Sequence, residues 1–125
     1  MQYFNLHTHQ FTNQPDVLEL VNQYPQEFDA SIPFYSIGIH PLYIDENRLE
    51  SDFQIVDQKL ALPECLALGE CGLDKRGETS FEIQQSVFAK HKLCGFLTFK
   101  LFLPNAAFQF TYAPIYESTG CLGVG

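Results

Sequence analysis

Apolar residues recur along the chain in two rhythms. Short apolar runs of strand length stand at 3–6, 34–39 and 65–69, and longer, more polar segments separate them. The first run ends at His7-Thr8-His9, the second at His40-Pro41 and the third at Glu70. Leu49, Phe53, Val56 and Leu60 recur at intervals of four, three and four, which predicts an amphipathic helix starting near 45–47 and stopping before Pro63. Thr79-Ser80-Phe81-Glu82 has the T-x-x-E form of a capping box, and Ile83, Val87 and Phe88 continue an apolar face behind it. A second helix is expected there. The stretch 17–22, V-L-E-L-V-N, is too short to separate a helical turn from an extra strand before Pro25, and reads as a short strand or irregular piece.

Strands alternating with helices over short connections predict an α/β fold with a parallel sheet. Functional side chains in that architecture collect at the carboxyl ends of the strands, where the loops converge on one crevice. Each of the three runs ends there in an ionisable group. His7 and His9 are two apart, so on an extended strand their imidazoles share a face, a geometry that a metal can use.

Composition narrows the field. The 125 residues are one domain's length, and 46% hydrophobic with 14% aromatic is enough for a packed core. Seven Lys+Arg against fifteen Asp+Glu give a net charge of -8, which opposes unaided binding to a phosphate backbone or an anionic membrane. With neither a charged n-region followed by an apolar h-region nor an apolar run near the roughly 20 residues of a membrane span, the expected location is the cytoplasm. Cys65, Cys71, Cys94 and Cys121 lack C-x-x-C spacing and read as free thiols.

The combination H-T-H at 7–9, G-I-H-P-L at 38–42 and G-E-C-G-L-D at 69–74 resembles the TatD family of metal-dependent hydrolases in the amidohydrolase superfamily, over roughly residues 1–91. Each motif is weak singly; three in this order, each at a strand end, are specific. The resemblance implies the amino-terminal part of a (β/α)8 TIM-type barrel, one or two divalent ions (Mg, Mn or Zn), and hydrolysis of phosphodiester bonds in DNA. It implies His7, His9 and Glu70 as metal ligands, Glu70 as the catalytic carboxylate, and His40 as a substrate-binding residue outside the ligand set. Asp74 matches a position after the ligand glutamate, although beside Lys75 and Arg76 it also reads as a solvated turn. Cys71 reads as a packing residue, because a soft thiolate suits neither imidazole nor carboxylate partners in such a site.

Two departures qualify the resemblance. The family begins D-x-H-x-H, and here Asn5 takes the first place, so the neutral amide cannot act as a charged support for a ligand. Residues 1–91 carry 14 acidic and 5 basic side chains, whereas 92–125 carry only Lys92, Lys100 and Glu117 and have neither His nor Asp. The expectation is a half-barrel at 1–91 that is truncated or frameshifted into an atypical aromatic-rich tail at 92–125. The sheet would then be open, its activity impaired, and self-association expected, with the tail's seven Phe and Tyr partly covering the exposed surface. A catalytically inactive fragment, or a small acidic interaction module whose histidines are structural, stands as the alternative.

Overall fold

The computed structural model describes residues 3–98 and 101–104. Its strands are β1 (Tyr3–Thr8), β2 (Val17–Gln23), β3 (Tyr35–Ile37), β4 (Cys65–Cys71) and β5 (Leu101–Pro104), with helices α1 (Leu49–Leu60) and α2 (Phe81–Thr98). The five strands form one sheet in the order β1-β2-β3-β4-β5, and every neighbouring pair is parallel. Sequential order with all strands parallel is the amino-terminal part of a (β/α)8 barrel, here an open α/β sheet.

The runs at 3–6 and 34–39 are not neighbours, because β2 lies between them and pairs with both. Its last five residues are all buried. A strand covered on both faces loses the alternation by which strands are recognised, which is why 17–22 was ambiguous as sequence. The crossover from β1 to β2 is a loop without a helix. It is pinned by Glu19, whose carboxylate accepts from Thr12 Oγ1 at 2.5 Å, Thr12 N at 2.9 Å and Asn13 N at 3.1 Å.

The apolar stripe of α1 is core. Phe53, Val56 and Leu60 pack with Tyr35, Ile37 and Ile39 from β3 and its end, Cys65 and Leu68 from β4, and Val87 from α2. Helix α2 begins one residue later than the capping-box motif suggests: Ser80 Oγ accepts from Ile83 N at 3.3 Å, while Thr79 Oγ1 turns to Ile44 O at 3.5 Å. The helix runs on through Thr98, so the segment after position 91 continues α2 and then supplies β5. Cys71 is a free thiol, Cys65 is buried and Cys94 is partly buried. Cys121, and most of the aromatic tail expected to cover the sheet, lie outside the described residues. None of the described helices is long and apolar enough to cross a membrane.

Candidate metal centre

Two glycines let β3 and β4 approach at the carboxyl end of the sheet. A Cβ on Gly38 would stand 2.9 Å from Gly69 Cα and 3.0 Å from Glu70 O, so only hydrogen fits there. Gly69 has φ 144, a backbone conformation that side chains disfavour. The two glycines of G-I-H-P-L and G-E-C-G-L-D are thus pressed against each other, which sets Glu70 beside the end of β3.

Glu70 is the meeting point of three histidines. His7 Nε2 stands 3.9 Å and His9 Nε2 3.8 Å from the same oxygen, Glu70 Oε2. The ligand atoms of His7, His9 and Glu70 all lie within 4.8 Å of one another. The imidazoles are half exposed, with relative side-chain exposures of 45% and 56%, whereas Glu70 is at 12%. A nearly buried carboxylate facing open imidazoles is a costly arrangement unless something shares its charge. Asn5 Oδ1 accepts from His7 N at 3.3 Å, so the amide steadies the backbone where β1 ends.

His40 approaches the other carboxylate oxygen, Nε2 to Glu70 Oε1 at 3.9 Å. Its Nδ1 accepts from Leu42 N at 3.0 Å in the short 3-10 turn Pro41–Tyr43. With Nδ1 committed as an acceptor, the neutral ring carries its proton on Nε2 and donates from that atom. A ring in that tautomer does not offer Nε2 to a metal. Burial holds the His40 pKa below the ordinary value, against the opposing pull of Glu70 and Asp74.

Asp74 is buried, at 2% exposure, where the sequence suggested a solvated turn. Its carboxylate accepts from Arg76 Nε at 2.8 and 3.1 Å, from Arg76 N at 2.9 Å and from Arg76 Nη2. Those hydrogen bonds hold its pKa at about 2. Gln84 fixes the same turn from α2, accepting from Asp74 N at 2.7 Å and donating to Asp74 O and Thr79 O at 3.0 Å each. Cys71 is fully buried, and burial first, then the neighbouring Glu70, pushes its thiol pKa up.

Three residues near the site were not singled out from sequence. Tyr24 lies past the end of β2 with its hydroxyl 3.4 Å from His9 Nδ1, and Asn22 accepts from Glu70 N at 2.6 Å. Tyr43 joins Tyr24 and His40 in an aromatic rim, its ring centroid 5.1 and 4.9 Å from theirs. Asn22 near the end of β2 and Tyr24 just past it could have been found once 17–22 was read as a strand.

The family model for TatD related DNase matches residues 2–95. The chain belongs to that family. No curated protein and no solved structure matches it. The TatD match spans all three strand-end motifs, and membership sets the cluster in a hydrolase of TatD type.

Proposed function

We propose that this TatD chain acts on phosphodiester bonds of DNA, with His7, His9 and Glu70 holding a divalent cation. One observation carries the reading: both Nε2 atoms of the H-T-H pair converge on one oxygen of a nearly buried glutamate. Two metal–ligand bonds of about 2.1 Å allow ligand atoms up to roughly 4.2 Å apart, and the two Nε2–Oε2 separations of 3.9 and 3.8 Å fit. Two imidazoles and a carboxylate suit Zn or Mn, with Mg the poorer match. Bound there, the cation would supply Lewis acidity and positive charge at a phosphoryl group, charge that a chain of net -8 lacks.

The protein's own groups have separable tasks. Glu70 provides the anionic ligand and the site's proton-accepting carboxylate. His40 presents an Nε2–H to a substrate oxygen, and its low pKa keeps it neutral while it does so. The Arg76 guanidinium, 73% exposed and fixed by Asp74, offers a cation to a phosphate near the rim. Tyr43 offers an exposed ring to bases.

Slow turnover is the expected behaviour. Residues 92–125 hold no His and no Asp, and among the described residues the proposed ligands are His7, His9 and Glu70. Each missing supporting group of a catalytic constellation commonly costs about 10² to 10³ in rate. The test is nucleotide release from DNA with Mn2+, with His9→Ala as control. Weak, Mn2+-dependent release that His9→Ala abolishes supports the proposal; release indifferent to that substitution contradicts it.

A further inference from the structure

Strand β2 contributes no residue to the ligand set, yet its end touches two of the three ligands. Asn22 is 5% exposed, and its Oδ1 accepts from Glu70 N at 2.6 Å and from Ser36 Oγ at 3.0 Å. One amide oxygen therefore ties β2, β3 and β4 together at the residue that carries the carboxylate. Asn22 Nδ2 is buried with no hydrogen-bond partner, and the side chain lies beside the Tyr24 phenol. The amide is held in place by the two bonds that its oxygen accepts.

Tyr24 sits two residues on. Its hydroxyl is 3.4 Å from His9 Nδ1, and its ring stacks on the His9 ring at 24° with centroids 6.4 Å apart. His9 Nε2 faces Glu70 at the same time. Among the described residues the phenol is the group placed at Nδ1: a hydroxyl both donates and accepts, so it can meet either tautomer of the ring. A carboxylate or carbonyl could only accept.

We infer that β2 is the positioning strand of the site, Tyr24 orienting His9 through Nδ1 and Asn22 fixing the backbone of Glu70. The inference rests on His7, His9 and Glu70 being the cation's ligands. When Nε2 is free, the Tyr24 hydroxyl donates to Nδ1 and the ring proton sits on Nε2, facing Glu70. When Nε2 is a ligand, the proton sits on Nδ1 and the same hydroxyl accepts it. A ligand histidine whose other nitrogen is held in this way keeps its ring orientation, and loss of such a partner typically costs 10- to 100-fold in metal affinity.

The experiment compares the full chain with Tyr24→Phe, Asn22→Ala and His9→Ala by Mn2+ calorimetry, and records long-range 1H–15N spectra of the histidine rings without metal. Tyr24→Phe keeps the stacked ring and removes only the hydroxyl. It should weaken Mn2+ binding about tenfold, leave the thermal unfolding midpoint nearly unchanged and shift the His9 Nδ1 resonance, while His9→Ala abolishes binding. Asn22→Ala should weaken binding as well, with a lower midpoint because three strands lose a shared acceptor. Wild-type affinity in Tyr24→Phe with an unmoved Nδ1 resonance overturns the inference and leaves the ligand set standing. Absence of Mn2+ binding by the wild-type chain overturns the ligand set itself, and this inference with it.

Discussion

His91 shows how a single side chain can govern stability far from the chemistry. It is fully buried, accepts at Nε2 from Ile39 N at 2.9 Å and donates from Nδ1 to Val87 O at 2.9 Å. Both nitrogens are committed in the neutral form, so protonation has to break the Ile39 bond. Burial accordingly lowers its pKa from 6.5 to about 4. A depressed histidine stabilises the fold fully above its unfolded pKa, and that contribution is lost as pH falls from about 6.5 to about 4. The shift corresponds to roughly 3 kcal/mol at the acid end. Urea midpoints should fall across that window in the wild type and fall less in His91→Gln, which starts lower at pH 7; parallel curves for the two proteins would contradict the assignment. Asp74, held at about 2 by Arg76, acts in a separate window, its contribution present above pH 4 and lost below it. At this scale the sequence was informative about identity and silent about burial. His7, His9, His40 and Glu70 were legible because they close apolar runs, whereas His91 sits within a helix and nothing in its neighbours marks it as enclosed.

Among the elements, legibility followed periodicity. Helix α1 was readable because one face is buried and the other exposed. Strand β2 was not, because its buried end has no alternation to read, and β2 with the residue just past it meets Glu70 and His9. The start of α2 was displaced by one residue, since Thr79 and Ser80 are both good caps and only the fold decides which of them faces the helix. Ser80→Ala should therefore cost about 1 kcal/mol and Thr79→Ala clearly less, as measured by chemical denaturation. Equal costs would show that the cap is shared. The close approach of β3 and β4 gives a sharper prediction. Gly38→Ala forces a methyl against the Gly69 backbone and should cost about 1 to 3 kcal/mol. Because the same atoms position Glu70, the variant should also lose Mn2+ affinity, and unchanged stability would mean that the strands can separate freely.

For the molecule as a whole, the sheet is open at β1 among the described residues. Tyr3, Phe4 and Leu6 are exposed at 58, 64 and 57%, on both faces of an edge strand that pairs only with β2 among the described residues. Edge backbone groups beside exposed aromatic side chains favour association. Light scattering should find species larger than a monomer, and Phe4→Glu should shift the distribution toward the monomer; a monodisperse monomer in the parent chain would contradict this. The barrel fragment was legible from three motifs because strand ends, motif order and the glycines all serve one crevice. The central claim is that His7, His9 and Glu70 together hold one divalent cation. Calorimetric titration with Mn2+ and Zn2+ of the parent chain and a His7→Ala, His9→Ala double variant measures it directly: one ion per parent chain and none per variant is the predicted result, and identical heats from the two proteins would contradict it.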